Sequence, residues 1–358
     1  MKHIKELDGL RGLLSVWVLF GHVVAAAPIN NFLFEERLFN EYAVAIFIVM
    51  SGFVIALVLD GRPQSYKQYL KRRFLRIFPA YWFYLAISIA IAPIALDTWL
   101  SSPDGSMRAS RIEISADTMQ YYWQHFAAHV TALHGAIPRN LLPSTDYAFL
   151  GQAWSVSIEW QFYLIAPFVI FFLRTPQSVA STATMTAFLL GLVVVAIVMP
   201  TGFVGRWVLP FSVGIGSFYA FKHFEAFIGV HAAKLTVLAL VLALSVRSID
   251  AMPYAIWAIV LVSAATSRSP LSIVLNSSPL QNLGKISYSV YLSHMIVLVF
   301  AIRWLPEITS PTAHFLALLF TTAVFTGTIS MFSYLFIEQP FQKVGRRKAA
   351  PPIDAVGS

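Results

Sequence analysis

The chain has 358 residues, of which 58% are hydrophobic and 12% are charged, and it contains no cysteine. Soluble globular domains carry about 25% charged residues, so the composition excludes a soluble enzyme, a disordered protein and a disulfide-stabilised secreted domain. It is typical of an integral membrane protein. The formal net charge of +8 has to be interpreted from where the basic residues lie.

Ten apolar segments are predicted to cross the membrane, since a transmembrane helix needs about 20 mostly apolar residues. They lie near residues 12–27, 43–59, 77–94, 153–173, 182–199, 203–221, 233–247, 253–267, 286–302 and 315–337. We therefore expect an all-α fold, a polytopic transmembrane bundle of about ten helices with both termini in the cytoplasm. Residues 1–342 form the transmembrane domain in this interpretation, and residues 343–358 form a basic, disordered cytoplasmic tail.

The distribution of basic residues supports this topology. If the ten helices alternate from a cytoplasmic N-terminus, 18 of the 25 Lys and Arg residues fall on the cytoplasmic side. The positive-inside rule predicts such an asymmetry. The net charge therefore indicates orientation in a membrane, and no nucleic-acid partner is expected.

The longest connection, about 95–152, is predicted to lie outside. Its segment from Tyr121 to His129 combines aromatic rings with histidines, which is typical of a helix lying in the membrane interface. His125, His129 and the nearby His134 have a spacing that could bind a metal. Because cysteine and a suitably spaced glutamate are missing, we expect no metal site.

Arg11 and His22 are predicted to share one face of the first helix. Eleven steps of about 100° complete three turns plus about 20°, which places the two side chains about 16 Å apart along the axis. His22 would then lie deep in the membrane. A buried histidine often has only a packing role, but an imidazole is also the natural general base for a hydroxyl nucleophile.

The run Lys71-Arg72-Arg73-Phe74-Leu75-Arg76 precedes the third span. Such a cluster often only attracts anionic lipid. Arg73 and Arg76, three residues apart on a helix, could instead hold phosphates through their guanidinium groups.

Two further ionisable residues lie inside predicted spans, where they are costly and often functional. Glu159 is the acidic residue that we place well inside a span; it could form a structural ion pair, hydrogen-bond as a protonated carboxyl, or act in function. His294 shares a helix face with Tyr291. From the residues alone, a structural role for His294 is favoured.

Several segments together resemble the motifs of one known family, in the same order and over nearly the whole chain. They are Leu7-Asp8-Gly9-Leu10-Arg11-Gly12 with His22, Phe47 to Ser51-Gly52-Phe53, Arg72 to Trp82, Trp154 to Tyr163 with Glu159, Ile286 to His294, and Glu338-Gln339-Pro340. The family is the bacterial membrane acyltransferase-3 family, the O-acetylases of surface polysaccharides.

This resemblance implies transfer of an acyl group, usually acetyl, from cytoplasmic acetyl-CoA to a hydroxyl of a surface carbohydrate or lipid-linked glycan. It implies location in the inner (cytoplasmic) membrane and catalytic roles for His22, Arg11 and Glu159. The residues expected to bind CoA are Arg72, Arg73, Arg76 and Ser51. The residues expected to bind substrate or support the site are Asp8, Trp154, Tyr163, Tyr291 and His294.

Alternatives remain open from the sequence. The donor could carry succinyl or a longer acyl group, and the protein could instead be a transporter or flippase with His22 and Glu159 as a proton relay. A scaffold for polysaccharide assembly would leave the aligned polar residues unexplained. Some relatives carry an esterase-like extracellular domain that is not found in these 358 residues, so we expect direct modification of the acceptor or a separate periplasmic partner protein, with membrane lipid as surroundings.

Overall fold

The computed structural model describes residues 3–29, 36–61, 64–175, 178–245, 251–266 and 269–346, and this part of the chain is helical without strands. The helices are α1 (Lys5–Ala26), α2 (Glu36–Gly61), α3 (Tyr66–Ala90), α4 (Ala92–Ser101), α5 (Arg108–Gln120), α6 (Tyr122–Val130), α7 (Trp154–Arg174), α8 (Val179–Val195), α9 (Val208–Val230), α10 (Ala232–Ser245), α11 (Met252–Thr266), α12 (Pro270–Leu275), α13 (Ser278–Trp304), α14 (Pro311–Ser333) and α15 (Gln339–Arg346). The all-α prediction is thus confirmed. Of the predicted tail, residues 343–346 belong to α15 and residues 347–358 lie outside the described ranges.

Five helical segments of the described chain are long and apolar enough to cross a membrane, and the bent pair α3–α4 raises the number to six. The five are Lys5–Ala26, Asn40–Gly61, Gly151–Arg174, Ser278–Trp304 and Pro311–Gly345. The predicted spans near 182–199 and 253–267 correspond to the shorter apolar helices α8 and α11. The protein is a multi-pass membrane protein, and the number ten stays a prediction.

Apolar side chains cover the outside of the bundle as well as its core. Phe320 on α14 is 72% exposed, and Leu190 on α8 is also exposed. Apolar side chains on the outer surface of a helical bundle fit contact with lipid rather than with water.

Helix α3 begins with a capping box and ends in a bend. The Ser65 side chain accepts a hydrogen bond from the Gln68 backbone N–H, and the Gln68 side chain accepts one from the Ser65 backbone. This reciprocal pairing satisfies backbone donors at the start of the helix. At Ile91 the chain turns by 61° into α4, so the third predicted span is a bent pair of helices.

The helix predicted to lie in the interface, α6, is hydrogen-bonded to α3. The Tyr81 hydroxyl donates to the His129 carbonyl oxygen at 2.7 Å, and Trp82 Nε1 donates to the Val130 carbonyl oxygen at 2.9 Å. Trp123 is exposed on α6, but His125 and His129 are fully buried. The fold therefore buries these two histidines, and the location of α6 at the membrane interface stays a prediction.

The last candidate span extends further than the sequence predicted. A π-helical turn, Tyr334–Glu338, joins α14 to α15 without a break. Glu338 is 3% exposed and accepts a hydrogen bond from Ser289. The expectation that Glu159 is the one acidic residue well inside a span is thus wrong, because Glu338 lies within the continuous helix rather than after it.

Helices α1 and α13 approach each other closely because glycine faces the partner backbone on both. A Cβ added at Gly284 of α13 would lie 2.2 Å from the carbonyl oxygen of Asp8, and one added at Gly12 of α1 would lie 2.7 Å from the Gly284 nitrogen. Small residues at such crossings allow transmembrane helices to pack backbone to backbone. This crossing sets the relative position of every side chain further along the two helices.

We expect Gly284→Ala to destabilise the protein by about 1–3 kcal/mol, because the new methyl group would overlap backbone rather than a movable side chain. The melting temperature in detergent measures this. Gly327→Ala is the matched control, since a Cβ at Gly327 meets no atom within 4 Å. A loss of stability no larger for Gly284→Ala than for Gly327→Ala would contradict the close packing.

Candidate active site

A cavity of about 830 Å³ lies between α1, α2, α3, α7 and α13. We call it the proximal cavity, because it lies toward the end of the bundle where α1 begins. Its polar lining is formed by Arg11, Ser51, Arg73, Arg76, Ser155, Glu159, Tyr163, Ser287, Tyr288 and Tyr291.

The charges lining this cavity are predominantly positive. Three guanidinium groups from α1 and α3 face one carboxylate, that of Glu159. The guanidinium of Arg73 lies over the rings of Tyr69 and Tyr163, with its carbon 5.9 Å and 5.6 Å from the ring centroids. Such cation–π contacts fix the position of a cation without neutralising it. The cavity thus retains a net positive charge with which it can bind an anion.

Two buried polar atoms in the cavity lack hydrogen-bond partners among the described residues. They are Arg73 Nε and Ser51 Oγ. Buried polar atoms are nearly always hydrogen-bonded, and exceptions often mark a site that receives a ligand or water. The donor set fits a ligand that carries phosphate oxygens.

Glu159 hydrogen-bonds within its own helix. It accepts from the Tyr163 hydroxyl, one turn along α7. Within the described residues no lysine or arginine reaches its carboxylate within 4.0 Å, although Arg11 and Arg76 lie close enough to interact with it electrostatically. The structural ion pair considered from the sequence is therefore not formed as a contact.

Arg11 is oriented by an acidic residue of the same helix. Its Nη1 lies 3.7 Å from Asp8 Oδ1. The other oxygen of Asp8 lies 2.6 Å from His3 Nε2. Asp8 thus supports the site through Arg11 rather than lining the cavity itself.

His22 and His294 contact each other across the α1–α13 interface. Nδ1 of His22 lies 3.1 Å from Nε2 of His294, and the ring centroids are 5.0 Å apart. Nδ1 of His294 lies 3.1 Å from the Val290 carbonyl oxygen, and Nδ1 of His22 lies 3.0 Å from the Val18 carbonyl oxygen. The two histidines therefore form one hydrogen-bonded pair.

The carbonyl contacts assign the tautomers of the neutral pair. A carbonyl oxygen only accepts, so Nδ1 of His294 carries the hydrogen and its Nε2 is an acceptor. Nδ1 of His22 must then carry the hydrogen that it shares between Val18 and His294. This leaves the lone pair on Nε2 of His22 free, which is the nitrogen that a general base uses.

Tyr291 connects the histidine pair to the proximal cavity. Its ring lines the cavity, and the ring centroid lies 5.9 Å from that of His294. Its hydroxyl lies 2.7 Å from Ser155 Oγ and donates to the Gln152 carbonyl oxygen at 3.0 Å. These bonds tie α13 to the start of α7, so the histidines lie one helical turn beyond the cavity wall.

The structure brings most of the sequence-predicted residues together. Arg11, Ser51, Arg73, Arg76, Glu159, Tyr163 and Tyr291 line one cavity, and His22 pairs with His294. Arg72 is placed elsewhere: it is exposed and donates to Gln64 Oε1 at 3.1 Å. Trp154 is buried against Trp207, with ring centroids 5.4 Å apart, and its position is structural.

Sequence reasoning missed other residues of the cavity wall. Ser155, Ser287 and Tyr288 line it, and the Tyr288 hydroxyl donates to the Ile77 carbonyl oxygen at 3.0 Å. Each of these residues lies within a segment that resembles a motif of the family. Their position in these motifs was the sequence feature that could have indicated a place in the cavity wall.

The three histidines of the long connection form a separate buried cluster. His129 and His134 stack with ring centroids 4.0 Å apart, and His125 packs against His129. Parallel stacking does not direct the ring nitrogens toward one point, and within the described residues no group of three or more possible ligands is arranged to hold a metal ion. Burial lowers the pKa of His125 to about 4 and that of His134 to about 3, and it holds the pKa of His129 well below the usual range.

The fold and this site define a multi-pass membrane protein with a cationic cavity beside a pair of hydrogen-bonded histidines. A family model described as "Acyltransferase domain" matches residues 4–331. The chain belongs to this family, the acyltransferase-3 family, which confirms the resemblance seen in the motifs.

The chain is similar to several characterised proteins. It is 26% identical to peptidoglycan O-acetyltransferase OatA of Listeria monocytogenes over 96% of this chain and 56% of the relative. It is 25% identical to O-acetyltransferase OatA of Staphylococcus aureus over 96% of this chain and 58% of the relative. Nodulation protein 10 of Rhizobium leguminosarum is 29% identical over 47% of this chain and 44% of the relative.

The chain thus spans little more than half the length of these OatA relatives. No solved structure matches it.

We expect acid to destabilise the protein through the stacked histidines. Their pKa values in the folded state lie below the unfolded value of about 6.5, so the unfolded chain binds protons that the folded chain does not. Stability is therefore fully present above about pH 6.5 and falls below it, by up to about 1.4 kcal/mol per pH unit for each of His129 and His134. Melting temperatures between pH 7.5 and pH 5.0 measure this.

His134→Phe is the decisive variant. Neither ring nitrogen of His134 has a hydrogen-bond partner of ordinary geometry among the described residues, so phenylalanine removes the titrating group and keeps a flat ring that can stack on His129. We expect a shallower loss of melting temperature on acidification, while His223→Phe on the exposed part of α9 leaves the slope unchanged. Equal slopes for wild type and His134→Phe would contradict the interpretation.

Proposed function

We propose that the protein is an O-acetyltransferase of the cytoplasmic membrane that moves an acetyl group from acetyl-CoA to a hydroxyl of an envelope carbohydrate or lipid-linked glycan. The observation that carries this proposal is the placement of a cationic cavity one helical turn from the His22–His294 pair. The OatA relatives are O-acetyltransferases, which supports the choice of acyl group.

The proximal cavity fits the donor. CoA carries several phosphate groups, and guanidinium forks bind phosphate through paired hydrogen bonds. Arg73 and Arg76 would hold these phosphates, with the unpartnered Ser51 Oγ as a further contact. The extended arm of CoA would then place the acetyl thioester beside Tyr291, close to the histidines.

His22 would act as the general base. Its free Nε2 takes the proton of the acceptor hydroxyl while that oxygen attacks the acetyl carbonyl carbon. The C–S bond then breaks, CoA leaves as the thiolate, and the proton on His22 returns to that sulfur. His294 holds the reactive tautomer of His22 through the shared hydrogen bond. Arg11, which lines the proximal cavity about 16 Å along α1 from His22, would orient the donor there.

In this proposal the proximal end of the bundle faces the cytoplasm. The residues that line the cavity imply that α1, α3 and α13 run in one direction and α7 in the other. These helices correspond to predicted spans 1, 3, 9 and 4, counted along the chain. Spans of odd number should run opposite to spans of even number, so the directions agree with the predicted topology. The basic run before α3 lies at the proximal end, as the positive-inside rule favours. A bundle of ten spans with both termini in the cytoplasm completes this topology.

We expect His22→Ala to lower acetyl transfer by about 10²–10⁴-fold, the usual contribution of a general base. Membranes that contain the protein and their native glycans are given radiolabelled acetyl-CoA, and the label on glycan is counted. The melting temperature of His22→Ala and of the more conservative His22→Gln reports folding. His223→Ala, an exposed histidine of α9, is the matched control, and full transfer by folded His22→Ala would refute the role of His22.

We expect Arg73→Gln and Arg76→Gln each to raise the KM for acetyl-CoA by about tenfold or more, because each removes a charge-assisted hydrogen bond worth about 1.5–3 kcal/mol. The KM for the acceptor should change little. Lys71→Gln, an exposed cation two residues before Arg73, is the control. Unchanged donor KM in both arginine variants would place the donor elsewhere.

A further inference from the structure

A second cavity of about 550 Å³ lies on the far side of the histidine pair. We call it the distal cavity. It is lined by α3, α4 and α5 and by the segment that leads into α7, and its polar residues are Ser88, Arg111, Ser115, Thr118 and Tyr147. None of these residues was singled out by the motifs.

The order of residues along α13 places the histidine pair between the two cavities. Ser287, Tyr288 and Tyr291 line the proximal cavity, and Met295, Ile296 and Val299 line the distal cavity. His294 lies between these two groups. His22 contacts it from α1.

Two other helices show the same arrangement. On α3, Arg73 and Arg76 line the proximal cavity, whereas Ser88 lines the distal cavity. On α7 the direction is reversed, since Glu159 lines the proximal cavity and Gly151, just before the helix, lines the distal one. The two cavities are therefore stacked along the bundle axis with the histidines between them.

Arg111 is the cation of the distal cavity, and it has no acidic partner. Within the described residues its guanidinium forms no ion pair and no hydrogen bond, whereas Arg108 on the same helix pairs with Asp104 at 3.0 Å. Burial lowers the pKa of Arg111 to about 10, with Tyr147 the group that opposes this effect. A desolvated charge without a counter-charge is costly, and proteins keep such groups mainly where a ligand supplies the opposite charge.

The surroundings of Arg111 provide space for its guanidinium and leave another polar group free. A Cβ at Gly151 would lie 2.3 Å from Nη1 of Arg111, so glycine at this position leaves the room that the guanidinium occupies. The buried Ser88 Oγ has no hydrogen-bond partner among the described residues. The rings of Trp99 and Tyr147 provide aromatic surface in the same wall.

We propose that the distal cavity binds an anionic sugar unit of the acyl acceptor, with its carboxylate or phosphate against Arg111 and its ring against the aromatic wall. This inference rests on the proposed function, because it makes the distal cavity the acceptor side of the same histidine pair. A hydroxyl of the bound sugar would then face His22 from the side opposite to the donor. Anionic acceptors are selected over neutral ones by the unpaired cation.

The test measures equilibrium binding of three small probes to the full-length protein in lipid nanodiscs. The probes are methyl glucuronide, glucose 1-phosphate and the neutral methyl glucoside. We expect at least one anionic probe to bind about tenfold or more tightly than the neutral one, since a charge-assisted hydrogen bond is worth about 1.5–3 kcal/mol. The comparison of the two anions tells whether the cavity takes a carboxylate or a phosphate.

Arg111→Gln should abolish this preference, and Arg111→Lys should retain part of it. Arg108→Gln, which removes an ion-paired arginine of the same helix, should leave the preference intact, and so should Arg73→Gln in the proximal cavity. Equal binding of charged and neutral probes, saturable binding of none of them, or a preference that is lost in Arg73→Gln but not in Arg111→Gln would overturn the inference.

Kinetics separate this inference from the proposed function. Arg111→Gln should raise the KM for an anionic acceptor and leave acetyl-CoA binding unchanged. If it instead lowers kcat equally for charged and neutral acceptors, Arg111 stabilises the reaction and does not recognise the acceptor, and the inference fails. If acetyl transfer occurs but no anion preference depends on Arg111, only the distal site is refuted. If the anion preference depends on Arg111 but the protein neither binds acetyl-CoA nor transfers acetyl, only the proposed function is refuted.

Discussion

The close crossing of α1 and α13 is the constraint on which the site depends. Gly12 and Gly284 let the two backbones touch, and further along the same helices His22 and His294 meet at 3.1 Å. The same two helices contribute Arg11 and Tyr291 to the proximal cavity. This backbone contact therefore limits how far apart the side chains of the two helices can lie, because side chains on two rigid helices have little freedom to adjust.

The charged groups of the site are held by different means, and the difference indicates what each can do. Arg11 is oriented by Asp8 on its own helix, whereas Arg73 lies over two tyrosine rings that leave its charge uncompensated. Glu159 bonds to Tyr163 rather than to an arginine. Buried ion pairs neutralise one another and leave little attraction for a third partner. Arginines kept apart from carboxylates, as Arg73 is, keep their attraction for an anion.

Local pattern was sufficient to predict what lies on a single helix. The spacing of Arg11 and His22, the position of Glu159 within an apolar helix and most helix positions follow from periodicity and hydropathy, which act within one segment. The pairing of His22 with His294, the burial of Glu338 in a π-helical turn and the inward packing of His125 and His129 depend on neighbouring helices. Arg111 could not be distinguished from a surface arginine, because its isolation results from which side chains the fold keeps away from it.

Because the histidine pair lies between two cavities, the proposed reaction has one substrate on each side of the pair. Each cavity presents its own cation, so an anionic donor and an anionic acceptor can be held at the same time without sharing a counter-charge. In the proposed reaction their reactive groups would meet at His22, which contacts His294 between the two cavities. Because the chain contains no cysteine, no thiol can carry the acetyl group from one side to the other. In the proposed function, direct attack of the acceptor hydroxyl on the donor at the histidine pair would move an acetyl group across the barrier while both larger molecules stay on their own sides.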